Sequence, residues 1–117
     1  MTTQQKNARD SAMKVAHLWD MPSSVKVALE RGHSVSEETA EVIKEYYSSW
    51  NREADTYAIA AAKAPAGDDA YAYEMARKCR VRQYASFAAY AAIAYEDGWA
   101  EKDATRFANM AISESAK

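Results

Sequence analysis

Twenty-six of the 117 residues are alanine, while leucine, isoleucine, valine and phenylalanine together supply only 14. A chain with that make-up cannot fill a core with branched aliphatic side chains. Its bulk has to come from 13 aromatic residues set among small ones. Few large aliphatics signal disorder only when the net charge is high. Here 15 Lys and Arg stand against 17 Asp and Glu, for a net charge of −2, so a folded chain is expected. Alanine has the highest helix propensity, and three Gly and two Pro are too few for the turns of a β-sandwich or barrel. The expected class is all-α: an antiparallel bundle of four to five helices in one domain spanning residues 1–117. A 13.0 kDa chain buries roughly two thirds of its unfolded surface, enough for a core without disulfides or metal.

Punctuation along the chain sets the expected elements. Thr2 and Gln5 have capping-box spacing. Ala8, Ala12, Val15, Ala16 and Trp19 then share one face of a first helix predicted over Thr3–Trp19, which Pro22 stops. A short second helix carries Val25, Ala28 and Leu29 and ends at Gly32. Ser34 and Glu37 form another capping-box pattern, opening a long helix over about 35–64. Pro65-Ala66-Gly67 breaks it, with Asp68 or Asp69 placed to cap a fourth helix over 69–95. Asp97-Gly98 reads as a turn or kink before a last helix from Trp99 to Ser113.

The short link at 65–69 forces the two long helices into an antiparallel hairpin. Ala54, Ala58, Ala61 and Ala62 are expected to face Ala85, Ala88, Ala89 and Ala92. Small side chains there bring helix axes toward the short end of the usual 8–10 Å range. With the loop centred near Gly67, residues 77–82 lie opposite 52–57. The basic run Arg77-Lys78-Arg80-Arg82 then meets Glu53 and Asp55, and Glu74 is spaced to pair with Lys78. Cross-helix pairing accounts for those cations better than nucleic acid does.

Chemistry-bearing patterns are sparse. Glu30-Arg31-Gly32-His33 has the Glu-x-x-His spacing of carboxylate di-iron bundles, but those sites need two such elements and further glutamates. One Cys and two His fall short of a structural zinc site. Cys79 lies mid-helix beside apolar Met75 and Ala76 and reads as a small buried residue. No nucleophile elbow, phosphate loop or dinucleotide fingerprint occurs. The chain is therefore expected to be no enzyme and to need neither cofactor nor metal. A single cysteine and a polar N-terminal stretch suit the cytoplasm. The longest nearly apolar run, Tyr84–Tyr95, is too short for a membrane span of about 20 residues.

Two features remain as interaction candidates. Glu37, Glu38, Glu41 and Glu45 open the third helix with only Lys44 against them, and the fold-back brings them near Glu96 and Asp97. The helix dipole accounts for acids in the first turn, not for Glu41 and Glu45. This acidic end is the primary partner-binding candidate, suited to a basic protein surface. Tyr46, Tyr47 and Trp50 span more than one side of the same helix and are the secondary interface candidates. In style, this Ala- and Tyr-rich helical make-up resembles small helical proteins found among phage accessory genes. It shares no motif with them, and the likeness implies only an accessory or inhibitory role. The leading expectation is a protein-binding module, such as an inhibitor that occupies a basic groove on a host protein. The alternative is a structural, self-associating helical protein, in which a homodimer covers the aromatic faces.

Overall fold

A computed structural model describes all 117 residues and contains helices only. They are α1 (Thr3–Lys14), α2 (Ser23–Arg31), α3 (Glu37–Lys63), α4 (Ala70–Ala94) and α5 (Asp97–Ser115), with one 3₁₀ turn at Ala16–Leu18. The all-α bundle on a long hairpin is thus the observed architecture. Helix α4 lies at its centre, flanked by α3 and α5, with α1 packed on both α4 and α5. A helix enclosed by neighbours has to be apolar around its circumference. Accordingly Cys79, Val81, Ala85, Ser86, Ala88, Ala89, Ala91 and Ala92 are all buried on α4.

Fourteen of the 22 buried residues are alanine, so the core is built on alanine contacts. Ala100, Ala104, Ala108 and Ala111 bring α5 onto α4, and Ala8, Ala12 and Val15 bring in α1. Larger rings fill the margins. Phe87 lies 4.4 Å from Phe107 and 5.0 Å from Tyr47 between ring centroids, with Tyr90 and Tyr95 also stacked around it. Trp19 closes the other flank against Tyr46 at 5.2 Å. The buried Ser86 hydroxyl donates to the Arg82 carbonyl at 2.7 Å, which removes the cost of an unpaired polar group in the core.

Several boundaries differ from expectation for local reasons. The Thr2–Gln5 capping box forms, with both reciprocal bonds present. Helix α1 ends at Lys14 instead of Trp19, because the chain tightens into the 3₁₀ turn and turns extended at Trp19. Ser36, not Ser34, caps α3, its hydroxyl accepting from the Thr39 amide. Asp69 occupies the N-cap position of α4 but its side chain makes no capping bond. Asp97 and Gly98 belong to the first turn of α5, which leaves only Tyr95 and Glu96 to reverse the chain. Gly32 does terminate α2, in the left-handed conformation that favours glycine, at φ +71°.

The hairpin register comes out near the expected one. Arg80 Nη2 donates to Asp55 Oδ1 at 2.6 Å, and Arg80 Nη1 donates to Asn51 and Gln83. Arg82 instead lies over the Trp50 ring at 4.8 Å. Glu74 pairs with Arg77 and not with Lys78, since Arg77 presents two nitrogens to its carboxylate. On the hairpin face Ala54 and Ala61 are buried as expected, but Ala58 and Ala62 are exposed, because aromatic rings and Arg80 occupy part of the seam.

Candidate functional site: the acidic end and its aromatic groove

The fold-back places the N-terminal turns of α3 at the same end of the molecule as the α4–α5 junction. Glu37, Glu38, Glu41, Glu45 and Glu96 are exposed there, and Asp97 is half-buried. None of the six takes part in the four ion pairs, which join Lys6–Asp10, Arg77–Glu74, Arg80–Asp55 and Lys117–Glu114. Of the nearby acids, Glu101 is turned to α1, accepting from Asn7 Nδ2 at 2.8 Å.

Helical spacing divides the carboxylates between two faces of α3. Glu45 lines a groove of about 480 Å³ together with Val42, Tyr46, Ser49, Trp50 and Glu53. The recurrence at three and four residues makes this one continuous stripe over three turns. Glu45 and Glu53 are eight residues apart, about 12 Å along the axis, with Tyr46 and Trp50 between them. Tyr46 is held in place: its hydroxyl donates to Asp20 Oδ2 at 3.1 Å, and its ring packs on Trp19 and on Trp50. Burial pushes its hydroxyl pKa up. The arrangement offers two unpaired carboxylates beside two fixed aromatic faces, a combination that attracts guanidinium and ammonium groups. Arg82 over Trp50 already shows a guanidinium seated on one of these rings.

Glu41 faces elsewhere. Its charge acts on Tyr47, whose hydroxyl is pushed up to about 12 by burial first and then by Tyr90, Tyr95 and Glu41. Tyr47 is half-buried against Phe87 and Tyr90 and belongs to the packing between helices, so of the three aromatic candidates only Tyr46 and Trp50 line the groove. Tyr95 is likewise raised by burial and by Asp103. The groove-lining roles of Val42 and Glu53 escaped the sequence reading. The signal for them was the 42-45-46-49-50-53 spacing itself, which mixes apolar and acidic residues on one stripe. Trp99, 59% exposed, also lies at this end, with Lys102 over its ring at 5.0 Å.

The remaining patterns do not assemble. Glu30 and His33 are both exposed and separated by the left-handed Gly32, and no group of three or more His, Cys, Asp or Glu side chains converges. Cys79 is buried, and that burial raises its thiol pKa, the reverse of nucleophile activation. No helix is long and apolar enough to cross a membrane. No family model matches the chain, and no curated protein or solved structure matches it.

Proposed function

We propose that this chain is a non-catalytic protein-binding module that docks its acidic end on a basic surface of another protein, as an accessory protein or inhibitor does. The observation that supports it most is the groove in which the unpaired Glu45 and Glu53 flank Tyr46 and Trp50. Surplus charge of one sign at one end steers association with a partner of opposite charge. Rigid aromatic faces between the charges supply the desolvated contact that tends to dominate binding energy. Tyr46 is positioned by Asp20 and Trp19, so little ordering remains to be done when a partner arrives.

An oligo-arginine peptide serves as the probe. Titrating it into the protein at low salt and following tryptophan emission should give a saturable change. Glu45→Lys/Glu53→Lys should weaken it at least about tenfold, which corresponds to about 1.4 kcal/mol. Added salt should weaken wild-type binding in the same direction, because exposed charges are screened over about 8–10 Å. Equal binding by wild type and the double variant would discard this groove. Failure of Glu37→Lys/Glu41→Lys to alter the salt dependence would confine the contact to the groove face alone.

A further inference from the structure

The hairpin of α3 and α4 outruns the rest of the bundle. Helix α5 ends where Arg77 Nη1 donates to the Glu114 carbonyl at 2.8 Å, and His17 and Leu18 of the 3₁₀ turn stand beside Lys78 and Arg82. Beyond that level run residues 58–76, of which only Ala61 is buried. The molecule measures 52 × 25 × 21 Å. Its radius of gyration is 15.1 Å, against about 13.4 Å for a compact domain of this length. Its accessible surface is 6841 Å², about 500 Å² more than a monomer of this mass normally shows. The overhang exposes Tyr71 at 70%, Tyr73 at 56% and Ile59 at 55%.

We propose that a second copy of this chain covers the overhang, the two hairpin tips lying side by side and antiparallel about a two-fold axis. Area permits it: at the chain's mean exposure the nineteen residues show about 1,100 Å², and a standard interface takes about 800 Å² from each partner. Charge selects a second copy as the occupant. Asp68 and Asp69 at the loop make no ion pair, and neither does Lys78. Ten residues of helix separate Asp68 from Lys78, about 15 Å. Two hairpins overlapping by that length bring the loop acids of each beside Lys78 of the other. The same overlap ends against the shelf of His17 and Leu18, where the third layer of the bundle begins. Between the acidic and basic ends, Tyr71 stacks on Tyr57 across the hairpin at 6.5 Å and lies two turns from Lys78 on one helix face. Acid at one end, base at the other and rings between them make the patch self-complementary, as a two-fold contact requires. The surface is separate from the acidic end, and the inference does not depend on the groove.

Sedimentation equilibrium over about 1 μM to 1 mM tests it, with helicity monitored by circular dichroism. The wild type should show a reversible monomer–dimer equilibrium. Asp68→Lys/Asp69→Lys and Lys78→Glu should each weaken the dimer at least about tenfold, and the combined triple variant should restore it to within about threefold. Tyr71→Asp should abolish the dimer with helix content unchanged, the side chain being exposed in the monomer. A wild type that stays monomeric throughout overturns the proposal. So does a dimer indifferent to these substitutions, or a triple variant no better than its parents. Oligo-arginine binding by the monomeric variants should persist, so failure of the dimer and failure of the groove are read separately.

Discussion

Replacing Phe87 by alanine should damage this protein more than any other single truncation of a ring. Phe87 contacts four other aromatic rings, Tyr47, Tyr90, Tyr95 and Phe107, at centroid distances of 4.4 to 6.4 Å. Those rings come from three different elements, so one side chain ties α3, α4 and α5 together. Phe-to-Ala changes in cores cost about 3–5 kcal/mol. Phe87 is half-buried, which places it at the lower end, about 3 kcal/mol. The surrounding alanine backbone cannot collapse into the gap, because Ala88, Ala89, Ala91 and Ala92 already hold α4 against its neighbours. Against a total stability of about 6–18 kcal/mol for this length, that is a large fraction. An unfolding entropy of about 0.25 kcal/mol/K for such a chain converts it to a fall of about 12 °C in Tm. Urea unfolding followed by far-ultraviolet circular dichroism measures it, the slope staying constant if the denatured state is unaffected. Phe87→Leu keeps most of the volume and should cost less than about 1.5 kcal/mol. A loss below about 1 kcal/mol for the alanine variant, or equal losses for both, would show that the ring cluster does not hold the hairpin to α5.

Other expectations follow from single sites. Tyr47 titrates near 12 in the fold because of burial, while the unfolded chain ionises near 10. Stability is therefore level below pH 10 and falls between pH 10 and 12. The loss is about 1–2 kcal/mol after allowance for partial solvent exposure, and Tyr47→Phe should remove that component of the alkaline transition. Gly32→Ala should cost about 1 kcal/mol or more, since φ is +71° and the new Cβ would stand 3.1 Å from Met1 Cε; chemical denaturation reports it. Arg80→Ala should lower stability by about 1–2 kcal/mol by leaving Asn51, Asp55 and Gln83 without their shared donor. Arg80→Lys should recover little of it, because an ammonium does not reproduce the fork.

The pattern of small residues and breakers carried the topology well. Pro65 and Gly67 located the hairpin loop to within a residue or two, and the register that follows puts Arg80 beside Asp55 as expected. Local hydrogen-bond competition was less legible. Ser34 and Ser36 both precede a glutamate-rich turn, and the choice between them depends on which hydroxyl reaches an amide three residues on; Ser36 reaches Thr39. The end of α1 was not legible for a different reason. Ala16, His17 and Leu18 are all compatible with a helix, but burying Trp19 against Tyr46 needs an extended residue there. A bond from Arg9 Nη1 to the Ala28 carbonyl, which closes the end of α2, joins residues nineteen apart and has no signature in the chain. At the acidic end, the clustering of carboxylates followed from the fold-back. Their division between faces did not, because it depends on which side of α3 the Trp19 turn approaches.

An alanine core and exposed rings are consequences of one another in this protein. Alanine contacts at Ala85, Ala88, Ala89 and Ala92 draw the neighbouring helices close to α4, and axes so near leave no interior space for large rings. Rings are therefore displaced to the seams, where each is buried only as far as a second helix covers it. Where α1, α3, α4 and α5 are all present, the seams close and Phe87, Phe107 and Tyr47 lie inside them. Where only α3 and α4 remain, Tyr57 and Tyr71 have each other and then solvent. On the outer flank of α3, Tyr46 and Trp50 are covered from one side by the Trp19 turn and left open on the other. The two candidate surfaces thus arise at the two places where a fold built on alanine runs out of a covering helix. They differ in charge: the groove carries unpaired Glu45 and Glu53, whereas the tip carries Asp68 and Asp69 at one end and Lys78 at the other. A surface of single sign selects a partner of the opposite sign, while one with both signs suits its own copy.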